Sequence, residues 1–261
     1  MPSPVMYERF PVRIRELELL RRVWVSETML RLTCGGPGAK GFVSKAFDEH
    51  VKIIFPDPQT GELRVPTENG DRLDWPRPFP TCREYTIRAW RPDDLEIDMD
   101  VVVHESGIAS DWARQVQVGQ TFPVAGPPGA WMIPDDYDFY VLIADETALP
   151  AVARWAEEAP AAVRGAIIVE VPGRGSEQGL DLPDGVSLTW LHTGGAESDA
   201  TLNAARALDI DADPERVCVW LAGEAGMLKP LRRWARDELG APKEHCSITG
   251  YWRRGVAHGG H

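Results

Sequence analysis

Residues 83–90 read REYTIRAW. Within four positions Arg83 offers a cation, Tyr85 an aromatic face and Thr86 a hydroxyl. A flavin needs a charged partner for its phosphates, a surface for its ring and donors at the ring edge. Arginine, tyrosine and threonine are also ordinary strand residues, so the tetrad alone leaves both readings open. A second group lies in EIDMDVVVHESGIASDWARQVQVG, where a strand bearing Asp100, Val102 and His104 runs into a glycine turn. A helix starting near Ala109 and Ser110 would present free backbone N–H groups, suited to a dinucleotide pyrophosphate. Simple capping by Ser106 or Ser110 is the competing explanation.

Three further stretches carry polar groups at turns. In ADETALPAV a strand ends on Asp145, Glu146 and Thr147 and a helix opens. Open α/β sheets bind ligands at that edge, and plain capping by Asp145 or Thr147 is compatible with it. In VWLAGEAGMLKPLRRW, Gly223 and Gly226 stand between a strand and a helix, as in a backbone cradle for a nicotinamide cofactor. No G-x-G-x-x-G is present: GRGSEQG (173–179) has the wrong spacing and precedes no helix, and CGGPG (34–38) fails likewise. Arg174 could meet a 2′-phosphate or be a solvated loop arginine. In GYWRRG, Tyr251, Trp252, Arg253 and Arg254 form an aromatic and cationic tail suited to a flat, anionic ligand. The closing HGGH (258–261) is not read as a metal site, and DIDADPE (209–215) lacks calcium-loop spacing.

The elements that must hold these residues change period midway. VRIRELELLRRVWVSETMLRLTCGG alternates, and EHVKIIF, REYTIRAW, EIDMDVVVH and QTFPVA are short runs bounded by glycine and proline. Five or six such strands predict a closed antiparallel barrel or sandwich, interrupted by one helix at ASDWARQV. From residue 139 onward FYVLIAD is a continuous apolar strand, RGAIIVEV and VSLTWLH read as a second and third buried strand and RVCVWLAG as a fourth, and they alternate with helices at ETALPAVARWAEEA, DATLNAARAL and AGMLKPLRRWARDELG, the last closed by Gly240. That pattern predicts a parallel sheet with crossovers. The expected division is 1–135 and 136–261.

The chain has 261 residues and a net charge of −12, which argues against nucleic acid or an anionic membrane as the main partner. Cys34, Cys82, Cys218 and Cys246 form no C-x-x-C pair and are expected to be reduced thiols; an iron–sulfur cluster would need them clustered. The N-terminus lacks the apolar core of a signal peptide, and no apolar run approaches the roughly 20 residues that span a bilayer. The expectation is a soluble cytoplasmic protein.

Taken in order, DEHVKIIFP, REYTIRAW, DMDVVVHESGIASDWA with AGPPG, ADETALPAV, LAGEAGMLKPLRRW and GYWRRG resemble the siderophore-interacting protein family, flavin-dependent reductases of ferric siderophores. The resemblance implies an FAD-binding six-stranded barrel, then an α/β domain for NADPH or NADH, in a ferredoxin-reductase-like layout. It implies that Arg83, Tyr85 and Thr86 meet the flavin together with Asp100, Val102 and His104. Ala109 and Ser110, followed by Trp112, would receive the pyrophosphate. Asp145, Thr147, Ala148, Gly223, Glu224 and Trp252 would lie near flavin or nicotinamide, and Lys52, Arg253 and Arg254 would face the siderophore. Two departures stand out. Ile108 replaces a proline usual before the helix, and Glu84 replaces a threonine usual after Arg83, where an inward carboxylate would alter the flavin's potential. The implied reaction passes hydride from the nicotinamide to FAD and single electrons to iron, and the softer ferrous ion leaves its hard oxygen ligands. No acid–base residue is required, so none is assigned as catalytic. A ferredoxin could replace the nicotinamide, another flavin-dependent reductase would share these features, and a non-catalytic flavin or siderophore carrier is the alternative from another class. A monomer is expected.

Overall fold

The first half folds as its period-2 pattern requires. The computed structural model describes residues 1–194 and 199–256. The first eight strands are β1 (Met6–Arg9), β2 (Ile14–Trp24), β3 (Met29–Gly35), β4 (His50–Ile54), β5 (Thr67–Asn69), β6 (Arg72–Asp74), β7 (Cys82–Arg91) and β8 (Glu96–Val102). Helix α1 (Ile108–Gln115) follows, then β9 (Thr121–Ala125) and β10 (Gly129–Met132). Six strands close an antiparallel barrel in the order β2-β3-β8-β7-β4-β9, while β1 pairs with β10 and β5 with β6. Along β8, Ile97, Met99 and Val101 are fully buried in the barrel core beside Leu17, Leu32 and Ile53. Asp98 and Asp100 alternate onto the other face. There the Arg91 fork donates to Asp98 at 2.7 and 2.8 Å, and Arg31 to Asp100 at 2.7 Å on both oxygens. Thr33 donates a third bond to Asp98 at 2.7 Å. These bonds allow a strand of alternating acids and aliphatics to be covered on both sides.

The second half is a parallel sheet. Its elements are β11 (Phe139–Asp145), α2 (Leu149–Glu158), β12 (Gly165–Val171), β13 (Val186–His192), α3 (Ala200–Arg206), β14 (Val217–Glu224), α4 (Ala225–Arg233) and β15 (Cys246–Trp252). The order is β13-β12-β11-β14-β15. Every residue of β11 and of β14 is buried, which is why these two read as unbroken apolar runs. The chain continues past α4 through a wider turn at Trp234–Glu238 before Gly240, at φ +80°.

One correction concerns the tail. Tyr251 and Trp252, expected outside the sheet, are the last residues of a fifth strand that pairs with β14 from Val219↔Cys246 to Glu224↔Trp252. As an edge strand β15 has a ladder on one side only, and its burial is mixed, so no apolar run marks it.

By contacts the chain groups into Tyr7–Ala130 and a second unit that joins Met1–Met6 to residues from Trp131 onward. Ser3 donates to Asp136 from its N at 3.0 Å and from its Oγ at 3.0 Å, the Tyr137 hydroxyl donates to Ser3 O, and Val5 N donates to Glu244 O at 2.9 Å. All four cysteines are free, and burial pushes their thiols up, Cys246 to about 11.

Candidate functional site

In the barrel unit the predicted residues gather on β7, β4 and the start of α1. The β4–β7 register sets Ile53 opposite Arg83, Val51 opposite Tyr85, Lys52 opposite Glu84 and His50 opposite Thr86. Opposed residues share a face. Arg83 and Tyr85 are therefore on the face of the core residues Val51 and Ile53, and Thr86 is with His50 and Lys52. The R-x-Y-T set thus addresses two faces of one strand. Arg83 is half-buried and spends one nitrogen on its neighbour, donating from Nη1 to Cys82 O at 2.7 Å. Tyr85 packs against the barrel core, and burial pushes its phenol up. Thr86 is buried.

Glu84 is exposed and bonded to Lys52, so it does not turn into the barrel. His50 Nε2 stands 3.7 Å from the same carboxylate, and burial lowers its imidazole against the opposing pull of Glu84. His50 was not among the residues expected at the site. Its signal was its place two residues before Lys52, on the same face of the strand.

The turn after β8 ends in an open helix start. Gly107 is the N-cap of α1 at φ +139°, with no side-chain cap bond and nothing within 4 Å of where a Cβ would sit. Neither Ser106 nor Ser110 caps it. Ser110 is buried and instead accepts from His104 N at 3.0 Å, while Arg114 donates to the His104 carbonyl. These two bonds fold residues 104–110 back onto the helix and leave the first-turn amides of Ile108, Ala109 and Ser110 without a side-chain acceptor. Open space and uncapped donors at a helix N-terminus fit a phosphate group. Trp112 packs edge-on between Phe55 and Phe122 and anchors the helix to the barrel. Asp100 is taken up by Arg31, Val102 is half-buried and the His104 side chain is exposed.

In the α/β unit the predicted residues meet at the carboxyl edge of the sheet. Asp145 Oδ1 accepts from Thr147 N at 2.8 Å and Thr147 Oγ1 at 2.6 Å. Its Oδ2 accepts from Glu224 N at 2.8 Å and Trp252 Nε1 at 2.6 Å. Burial, the largest influence, raises its pKa against these four donors. Glu224 caps α4 by accepting from Met227 N at 2.8 Å and also accepts from Arg254 N at 3.1 Å. Burial pushes Glu224 up, but the backbone donors outweigh it and hold the carboxyl below its usual range.

The two glycines serve these carboxylates. A Cβ on Gly223 would lie 2.5 Å from Asp145 Cγ, and one on Gly226 would lie 2.6 Å from Glu224 Oε2. The space expected to cradle a cofactor is thus partly filled by the protein's own acids. Ala148 is fully buried beneath the turn. Arg174, Arg253 and Arg254 are exposed. Residues 258–261, with the HGGH run, lie outside the described residues. Among the described residues there is no cluster of metal-ligating side chains and no helix long and apolar enough to cross a membrane.

Comparison with known proteins gives the family. The family profile of the siderophore-interacting protein matches residues 137–255, and that of the siderophore-interacting FAD-binding domain matches residues 18–131. The NADPH-dependent ferric-chelate reductase of Escherichia coli K12 is 33% identical over 94% of each chain. The ferric vibriobactin reductase ViuB of Vibrio cholerae is 28% identical over 92% of this chain and 90% of its own. A siderophore utilization protein from T. fusca superposes with a TM-score of 0.89, at 37% identity over 97% of both chains. The chain therefore belongs to the siderophore-interacting protein family and carries that family's FAD-binding domain in its first half.

Proposed function

We propose that this protein is a ferric-siderophore reductase that uses NADPH and FAD. The uncapped N-terminus of α1, in the same unit as the half-buried Arg83 and Tyr85, is the observation that carries this reading. In it the α1 amides and the Arg83 fork hold the FAD phosphates, Tyr85 offers a ring face and Thr86 a hydroxyl. FAD, when bound, supplies the passage from two-electron hydride chemistry to one-electron transfer.

The carboxyl edge of the sheet takes the nicotinamide cofactor, and the exposed Arg174 meets its 2′-phosphate, which favours NADPH over NADH. The chelate is anionic, and Arg253, Arg254 and Lys52 attract it. Lys52 first has to share its charge with Glu84. Reduction itself releases the metal, because ferrous iron binds hard oxygen donors more weakly than ferric iron does. No side chain has to move a proton for that step. The work is done in the cytoplasm by a monomer.

An anaerobic absorbance titration tests this. NADPH should bleach the oxidised-flavin band, and a ferric siderophore with a ferrous trap should restore it as trapped iron appears. Bleaching by NADH alone would remove the role given to Arg174. Bound flavin that neither nucleotide bleaches would point to a protein donor such as a ferredoxin, or to a carrier. Failure to bind FAD would overturn the whole reading.

A further inference from the structure

Three adjacent strands of the α/β unit end on residues joined by two carboxylates. Asp145 ends β11, Glu224 ends β14 and Trp252 ends β15. Asp145, only 7% exposed, binds the Trp252 indole N–H at 2.6 Å, and Glu224 binds Arg254 N at 3.1 Å. Residues 252–254 are therefore tied twice, by a side chain at one end and by the backbone at the other. The side chains of Arg253 and Arg254, between and beside those ties, are exposed, and the Arg254 charge also helps to hold the Glu224 carboxyl down. Glycine at 223 and 226 is what lets both carboxylates seat, since a Cβ at either position would strike one of them.

We propose that Asp145 and Glu224 act toward the chelate as positioning residues. They clamp the 252–254 segment so that Arg253 and Arg254 present their charge to an anionic ferric chelate from a fixed backbone. Ordering the segment beforehand removes an entropic cost that binding would otherwise carry. The proposal rests on the reading that these two arginines meet the chelate.

The test has two readouts on the full chain. The first is the indole N–H resonance of Trp252 in the protein without cofactor, assigned by its loss in Trp252→Phe. It should lie downfield and exchange slowly, and in Asp145→Ala it should move to the position of a free indole. The second is turnover with NADPH, ferric citrate and a ferrous trap. Asp145→Ala, Glu224→Ala and Trp252→Phe should each raise KM for ferric citrate by about tenfold, the effect of losing the order of one residue. In an Arg253→Ala/Arg254→Ala background the same changes should add nothing.

An unchanged indole resonance in Asp145→Ala overturns the clamp. A changed resonance with unchanged KM, or effects that add fully to the arginine loss, overturns its positioning role. If Asp145→Ala does not fold, Trp252→Phe, which keeps a ring and removes only the N–H, carries the kinetic arm. If the unaltered protein does not reduce ferric citrate, the functional reading fails with that chelate, and the indole resonance alone decides the clamp.

Discussion

At the scale of single residues, what matters is whether a polar group still has capacity to spare. Arg83 spends one nitrogen on the carbonyl next to it and keeps the rest of its fork, whereas Asp100 and Asp145 are committed to partners within the protein. Arg83→Ala should therefore weaken FAD. Hydrogen bonds from a charged donor contribute about 1.5–3 kcal/mol, so the Kd should rise roughly ten- to hundredfold in a flavin fluorescence titration. An unchanged Kd would take Arg83 out of the site. Gly223→Ala should act on stability. The position is at φ +136°, and the new methyl would meet the Asp145 carboxyl at 2.5 Å. Overpacking of this kind costs about 1–3 kcal/mol, and for a chain of this size the melting temperature should drop by several degrees. None of the Asp145 contacts was legible in the sequence beyond its bond to Thr147. Its partners Glu224 and Trp252 lie 79 and 107 residues away, and no local pattern encodes a meeting at that separation.

At the scale of elements, the alternating pattern of the first half carried the barrel, because alternate residues of a strand turn to the core face at a period of 2. The continuous apolar runs carried β11, β12 and β14 for the complementary reason. The start of α1 was legible to within a residue, but its capping was not: glycine followed by small residues looks the same whether or not a serine turns back onto the helix. The edge strand β15 was missed because pairing on one side leaves its pattern mixed. The β8 acids make a prediction about acid. The Arg21 fork, with Arg91 behind it, holds the Glu96 carboxyl down at about 2. For Asp98, burial pushes the carboxyl up, but Arg91 and Thr33 outweigh it and hold it below its usual range. Carboxyls held down in the folded state add stability above their unfolded values near 4, and lose it as pH falls toward the folded ones. Stability measured by denaturant midpoint should therefore fall between pH 4.5 and about 2. Arg21→Ala should flatten that fall. An equally steep fall in the variant would remove Glu96 from the account.

At the scale of the whole molecule, the first half of the chain carries the FAD-binding domain, and the proposed reading gives nicotinamide to the sheet edge and the chelate to Arg253, Arg254 and Lys52. FAD binding only the folded barrel should stabilise it by about 2.7 kcal/mol when present at 100 times its Kd. Scanning calorimetry should then show a melting transition that climbs with FAD concentration, and one that ignores FAD would exclude binding to the native unit. The net charge of −12 makes the exposed arginines at 174, 253 and 254 the more informative, since they stand against the prevailing sign. Finally, Met1–Met6 belongs with residues that the ribosome reaches much later, including Asp136, Tyr137 and Glu244. At about 5–20 residues per second, those partners emerge on the order of ten seconds or more after the hexapeptide does. The segment is thus made before the barrel and placed after it. A tag or truncation there should disturb the later-made sheet, while the barrel next to it in sequence goes on folding undisturbed.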